Sequence, residues 1–179
     1  MKTKTINIYQ FNELSEQAKE KAKDDYRNIF NYLGGEESFA SLESLVKYFN
    51  GEITNFEIDW TNSNLSHINF NMPEMDNETI NDKLSQLGEY DKETLKGYGD
   101  CKLTGYWIDE ELIDACRIEF FKCKRTYCTL ELLMNAAFQA LLHAVEKDYK
   151  YFYSNEQFSE HCESNDYWFT EDGTLTSEE

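Results

Sequence analysis

The feature that most constrains this chain is a long run of apolar residues at helical spacing near its C-terminal end. Between Leu130 and Phe152, apolar side chains recur three and four residues apart over about six turns. The run consists of Leu130, Leu133, Met134, Ala137, Phe138, Leu141, Leu142, Val145, Tyr149 and Phe152. Because an apolar stripe of this length has to be covered by other elements, the pattern predicts a central helix over residues 129–153.

Five shorter helices are predicted around the central one, each from a start or stop signal. The Ser15 hydroxyl caps a first helix, and a second helix ends at Asn50-Gly51, where Gly51 takes the left-handed conformation that closes a helix. Ser154, followed three residues later by Gln157, is a capping box that opens a final helix. The other two are a weaker helix that follows Asp76 and a short helix that Asp109 caps.

Strand patterns are fewer and shorter than helical ones. Alternation of apolar and polar residues predicts a first strand from Thr3 to Tyr9, a hairpin pairing 56–60 with 68–70, and further strands at 101–107 and 167–169. The polar, glycine-containing stretch 88–99 is expected to form a loop or hinge. These elements favour an α+β fold, with a small, mostly antiparallel sheet packed against several helices. We expect a single acidic domain over residues 1–175 and a disordered acidic tail at 176–179.

Net charge limits the partners of this chain. It carries 17 basic and 35 acidic residues, which gives a formal charge of −18. Residues 61–114 and 154–179 each have a net charge of −8, whereas residues 115–153 are at +2. In that stretch we expect Arg117, Lys122, Lys124 and Arg125 to pair with the protein's own acids, the alternative being contact with an acidic or RNA surface of a partner. Such a composition disfavours direct binding to nucleic acid or to an anionic membrane.

Aromatic content and the lengths of apolar runs indicate whether the chain folds and where the protein works. An aromatic content of 15% excludes an acidic disordered chain. No apolar run reaches the roughly 18 residues that span a bilayer, and the N-terminal residues lead into a strand pattern rather than a signal-peptide core. We therefore expect a folded protein of the cytoplasm.

Motifs for catalysis and for nucleotide binding are absent from the sequence. Gly97 and Gly99 lack the remainder of a phosphate-binding loop, and no local motif of a catalytic serine or cysteine occurs. The carboxylates between Asp109 and Asp114 do not have the spacing of a calcium-binding loop. We therefore expect neither enzymatic activity nor a cofactor.

Cysteines and histidines leave one alternative open. Five cysteines without a CxxC pair indicate reduced thiols rather than a disulfide framework. Cys123, Cys128 and the adjacent His161-Cys162 could supply four zinc ligands, although adjacent histidine and cysteine are an unusual pair of ligands. We expect no metal, and stoichiometric zinc would instead support a metal protein or an enzyme.

Two segments resemble small acidic proteins encoded by bacteriophages and prophages. One is YQFNELSEQAKEKAKDDYR at residues 9–27, and the other is YKYFYSNEQFSEHCESNDYWFTEDG at residues 149–173. Members of that group are labelled antitoxins in some cases and act as anti-CRISPR proteins in others. No catalytic motif accompanies the resemblance, so it implies a phage-borne, non-enzymatic binding protein.

The sequence therefore favours an inhibitor of a host defence nuclease, most concretely a Cas9-type CRISPR effector. Such nucleases hold nucleic acid in positively charged channels, for which an acidic face would compete. The candidate partner-binding carboxylates are Asp100, Asp109, Glu110, Glu111, Asp114, Glu163, Asp166, Glu171 and Asp172. The ordinary interpretation of each is a solvated surface charge. An antitoxin-like protein that neutralises a basic toxin and a phage structural or assembly factor are the alternative functions, and the oligomeric state is left open.

Overall fold

Helices dominate the computed structural model, which describes residues 6–29, 32–60, 62–90, 97–98, 103–123 and 127–176. Within those residues it contains six α-helices and two antiparallel strand pairs. In chain order these are α1 (Glu16–Ile29), α2 (Gly34–Tyr48), β1 (Glu52–Glu57), β2 (His67–Asn71), α3 (Asn77–Gln86), β3 (Glu89–Tyr90), β4 (Gly97–Tyr98), α4 (Asp109–Lys122), α5 (Leu130–Phe152) and α6 (Asn155–Ser164). The fold is therefore α+β with one long helix, as predicted.

The chain divides into two compact units. Unit 1 combines the two chain ends, residues 1–32 and 149–179, and unit 2 is the continuous stretch 33–148. Each unit is described by itself below. The single domain over residues 1–175 stays a prediction, and residues 177–179 of the expected acidic tail lie outside the described part of the chain.

Unit 2 is built on the apolar stripe of α5. Eight of its ten predicted positions, Leu130 through Val145, are buried, and the last two, Tyr149 and Phe152, are half-buried residues of unit 1. Helices α2, α3 and α4 contribute further fully buried side chains, among them Leu45, Ile80 and Leu112. Helix α3 follows Asp76 as predicted, and the structure adds that Asp76 caps it, since its carboxylate accepts a hydrogen bond from the Thr79 amide at 2.8 Å.

The predicted hairpin exists, but its first strand lies earlier than expected. Strand β1 pairs antiparallel with β2, with Glu52 opposite Asn71 and Glu57 opposite His67, and a bulge lies between Ile53 and Asn55. Residues 58–60 leave the ladder because Asp59 takes part in a turn instead. Its amide donates to the Ser66 hydroxyl at 2.9 Å, and its carboxylate accepts from the Asn62 amide at 3.1 Å.

The end of α2 differs from the prediction in which residue is left-handed. Asn50 takes that conformation, with φ at 60°, which asparagine tolerates better than most residues do. Gly51 instead packs against the thioether of Met72, which would have to move to make room for a β-carbon at position 51. The glycine is therefore a point of close packing and not the helix terminator.

Unit 1 has its own apolar core between α1, α6 and the two chain ends. The buried residues are Phe11, Leu14, Ala18, Ala22, Phe158, Cys162 and Phe169. The rings of Phe11 and Phe158 meet edge to face with centroids 4.7 Å apart. The predicted Ser15 cap of α1 is confirmed, since its hydroxyl accepts from the Ala18 amide at 3.3 Å.

Two local predictions in unit 1 are only partly right. The terminal strands are reduced to single bridges of Phe169 with Tyr9 and with Leu175, and residues 3–5 of the first predicted strand lie outside the described residues. Ser154 caps α6 by accepting from the Gln157 amide at 3.1 Å. The reciprocal bond of a capping box does not form, because the Ser154 amide donates to the Tyr151 carbonyl at 2.9 Å.

Candidate acidic binding surface

Asp109, the expected cap of α4, is buried and holds the preceding loop instead of the helix. It is the first residue of α4 and is 0% exposed. Its carboxylate accepts hydrogen bonds from the backbone amides of Thr104 and Gly105 at 2.8 and 2.7 Å and from the Thr104 hydroxyl at 2.8 Å. These bonds replace the strand predicted over 101–107, whose residues 103–107 form irregular backbone. The prediction that Asp109 contacts a partner is wrong, because its side chain is buried.

Hydrogen bonds keep the Asp109 carboxylate charged despite its burial. Burial acts to raise the pKa of this carboxyl group, but bonds from Ser41, Thr104 and Gly105 outweigh it, and the pKa is lowered below its usual value. The Ser41 hydroxyl of α2 also lies 2.9 Å from the Thr104 hydroxyl. Asp109 therefore ties the loop at 103–108 to both α2 and α4.

A second contact between this loop and α2 involves Tyr106. The side chains of Glu37, one helical turn before Ser41, and of Trp107 both act on its hydroxyl group, the first raising its pKa and the second lowering it. Burial is the largest cause of the raised pKa of Tyr106, followed by the bond to Glu37, and the carboxylate of Asp148 on α5 adds to it. Carboxylates from two helices thus act on one phenol.

Exposed carboxylates occupy the first turns of the two helices that this loop contacts, α2 and α4. Glu36 and Glu37 occupy the first turn of α2, and Glu110 and Glu111 occupy the first turn of α4. All four are exposed. The positive ends of the two helix dipoles stabilise negative charge there. Together with Tyr106 and Trp107, of which Trp107 is 46% exposed, these four glutamates form what we call the acidic surface of unit 2.

Asp114, another predicted partner-binding residue, serves the interior of unit 2. Its carboxylate lies 2.9 Å from the guanidinium of Arg117, which is itself only 4% exposed. It also accepts from the Gly97 amide at 3.3 Å. The expected pairing of Arg117 and Lys122 with the protein's own acids is confirmed, Lys122 lying 2.8 Å from Glu119. Asp100, Lys124 and Arg125 lie outside the described residues.

The second acidic block belongs to unit 1, where its members play different parts. Glu163 and Asp166 are exposed and line a shallow cleft of about 90 Å³ together with Asn12 and Trp168. Glu163 accepts from the side-chain Nδ2 of Asn12 at 3.3 Å, and Asp166 accepts from the Trp168 indole at 3.1 Å. The structure therefore brings these two predicted residues together.

Asp172 stabilises the turn at residues 170–174. Its carboxylate binds the ammonium of Lys21 at 2.6 Å and the Thr170 hydroxyl at 2.6 Å. The Lys21 bond and then the Thr170 and Thr174 bonds hold the pKa of Asp172 far below its usual value. Its neighbour Glu171 is exposed. Asp172 is thus committed to holding the C-terminal turn against α1.

The sequence analysis missed Glu36, Glu37 and Asp148. A local signal for the first two was present, because acidic residues directly after Gly34-Gly35 suit the first turn of a helix. The interaction of Glu37 with Tyr106 in the loop at 103–108 depends on the packing of α2 against α4, which no local pattern reveals. The described residues of the two predicted acidic blocks belong to different units.

Thiols and metal ligands offer no second site among the described residues. Cys116, Cys123, Cys128 and Cys162 are buried and form no disulfide, and burial raises the pKa of Cys128 and of Cys162 to about 12. Such thiols stay protonated and unreactive near neutral pH. In that part of the chain no group of three or more histidine, cysteine or acidic side chains could hold a metal ion.

The helices of the described ranges include none whose length and apolar content would let it cross a membrane. Comparison with known proteins identifies no relative, since no family model, curated protein or solved structure matches this chain.

Proposed function

We propose that this protein is a non-enzymatic inhibitor that works in the host cytoplasm and binds a basic nucleic-acid-binding protein in competition with nucleic acid. The most concrete partner is a phage-defence nuclease of the Cas9 type. The observation that carries the proposal is the acidic surface of unit 2, which combines four exposed glutamates from the first turns of α2 and α4 with Tyr106 and the exposed Trp107 of the loop before α4.

Electrostatics gives this surface the properties that such an inhibitor needs. Nucleases of this class hold their guide and target in a positively charged channel. Complementary charge accelerates encounter and fixes orientation, while affinity depends on a few buried aromatic anchors. Trp107 is such an anchor beside Glu110 and Glu111, since its ring is half outside the protein. The loop that carries it is held by the buried Asp109 carboxylate, so little ordering is needed on binding.

The buried carboxylates favour binding over catalysis. Asp109 and Asp114 accept hydrogen bonds from their own chain, and the pKa of Asp109 is lowered, whereas a general acid needs a raised pKa. The glutamates of the acidic surface are exposed to water, in which a catalytic carboxylate loses the benefit of a low dielectric.

The test is target cleavage by the guide-loaded nuclease in the presence of excess protein, measured over a series of salt concentrations. We expect inhibition at low salt that weakens as salt rises, because salt screens exposed charges. The variant with Glu110→Gln and Glu111→Gln should require about tenfold more protein for the same inhibition. Its matched control carries Glu74→Gln and Glu78→Gln, which removes two exposed carboxylates elsewhere in unit 2 and should behave as the wild type.

Two outcomes would contradict the proposal. One is full cleavage in the presence of excess wild-type protein at low salt. The other is equal loss of inhibition in both double variants, which would mean that net charge acts without a defined surface. Rescue of growth from a basic toxin encoded beside this gene, without nuclease inhibition, would replace the nuclease by a toxin as the partner.

A further inference from the structure

Unit 1 contains an apolar cavity that the acidic surface of unit 2 does not involve. It has a volume of about 160 Å³ and is lined by residues of α1, α6 and the C-terminal segment. Four aromatic rings form most of its wall: Tyr26, Phe158, Tyr167 and Phe169. Phe158 and Phe169 are 3% and 2% exposed, whereas Tyr26 and Tyr167 are half-buried. The cavity thus has a buried phenylalanine side and a tyrosine side that reaches the surface.

One carboxylate stands at this cavity. Asp25, the residue before Tyr26 on α1, lines it and is exposed to solvent. Leu175, which is 43% exposed, lines it as well. An occupant would therefore meet apolar surface inside and a negative charge at the opening.

We propose that this cavity receives a lysine side chain of the basic partner, an inference that rests on the proposed function. The apolar four-carbon stem of lysine would replace water against the aromatic walls, and its ammonium group would remain at the opening beside Asp25. The faces of Tyr26 and Tyr167 attract a cation through their ring quadrupoles. Unit 1 has 13 acidic and 7 basic residues, so its net charge of −6 also favours a cationic occupant.

Hydrogen-bonding needs and charge distinguish lysine from other side chains of similar size that could enter this cavity. The guanidinium of arginine has five hydrogen-bond donors in a rigid plane, and a wall made mostly of aromatic carbon offers them few acceptors. A neutral apolar side chain would fill the cavity but would gain nothing from Asp25. The ammonium of lysine needs only the opening, where Asp25 and water satisfy its three donors.

The experiment is an NMR titration of the isolated full-length protein with n-pentylammonium, and in parallel with 1-pentanol as its neutral counterpart. We expect pentylammonium to shift the amide resonances of Ala22, Gly173 and Leu175 and to bind at least threefold more tightly than pentanol. Asp25→Asn should remove that preference. The matched control is Asp24→Asn, since Asp24 is the neighbouring carboxylate and pairs with Arg27 at 2.7 Å. It should leave the preference unchanged.

A second variant tests the cavity itself without disturbing the core. Leu175→Trp enlarges an exposed lining residue and should abolish the shifts from both probes. Equal affinity for pentanol and pentylammonium, or shifts that do not centre on these amides, would overturn the inference. The titration contains no partner, so its failure leaves nuclease inhibition by the acidic surface intact. Tight pentylammonium binding without any nuclease inhibition would instead remove the proposed function and leave the cavity as a cation site.

Discussion

Gly173 is the residue at which unit 1 tolerates a side chain least. Its φ of +85° lies in the left-handed region, and a β-carbon there would overlap the carbonyl oxygen of Ala18 in α1. The turn that contains it is closed by a bond from the Gly173 amide to the Thr170 carbonyl at 2.9 Å and by the Asp172 carboxylate. The glycine thus allows the C-terminal turn to touch the backbone of α1.

Replacing Gly173 by alanine should therefore destabilise unit 1 by about 3 kcal/mol, because left-handed strain and a backbone collision act together. Gly105→Ala is the matched control, since Gly105 has a φ of +78° but nothing within 4 Å of its β-carbon position. It should cost only about 1 kcal/mol. Urea titration followed through NMR signals of each unit measures both. Equal costs for the two variants would show that conformation alone matters at Gly173.

The role of Asp109 shows what a sequence reading at this scale misses. An aspartate at a helix start can accept from the first free amides of the helix or turn back toward the preceding loop. The periodicity and composition of the sequence are the same for the two arrangements, so neither pattern distinguishes them. Asp109 accepts from the preceding loop because the backbone amides of Thr104 and Gly105 both point at its carboxylate. That arrangement is a property of the folded loop. Burial of the charge follows from it.

At the scale of elements, Arg117 joins α3 and α4. Its guanidinium donates to the carbonyl of Leu84 in the last turn of α3 at 3.3 Å, to that of Gly88 just beyond the helix at 2.9 Å, and to Asp114 at 2.9 Å. The carbonyls that end a helix lack intrahelical partners, so a buried cation there satisfies them. The negative end of the helix dipole also stabilises the cation.

Arg117→Met should destabilise unit 2 by about 3 kcal/mol or more, because it leaves the Asp114 carboxylate and two carbonyls without this donor. Lys122→Met is the matched control, since Lys122 also pairs with an acid three residues earlier on α4 but is 65% exposed. Its loss should cost less than about 0.5 kcal/mol. Chemical denaturation of both variants provides the comparison. A cost for Lys122→Met as large as that for Arg117→Met would mean that the contacts with α3 carry none of the effect.

Helices and strands differed in how far the sequence could predict them. The apolar stripe of α5 and the caps at Ser15 and Asp76 are local signals, and the structure contains all three. Strands need partners that are distant in the chain, so the alternation at 56–60 and 101–107 did not show where a ladder would form. The acidic surface combines both cases, since Glu110 and Glu111 were predicted from sequence and Glu37 was found only through Tyr106.

At the scale of the whole molecule, the charge of −18 divides between two units of different construction. Unit 2 is one continuous stretch, residues 33–148, with a net charge of −12, and unit 1 is assembled from both chain ends. The α1 face that carries Ala18 and Ala22 is covered by Phe158 and Phe169 from the other end of the chain. The stability of α1 therefore depends on residues from the other end of the chain.

Removing residues 149–179 should accordingly unfold the N-terminal segment while unit 2 stays folded. Helix α1 has 14 residues, a length at which an isolated helix is marginal in water, and it would lose its apolar cover. We expect the fragment 1–148 to lose amide protection over residues 16–29 while residues 33–148 retain theirs, and the fragment 33–148 to unfold cooperatively by itself. Hydrogen exchange on both fragments and on the full chain measures this. Retained protection of α1 in the fragment 1–148 would show that its stability does not come from the C-terminal residues.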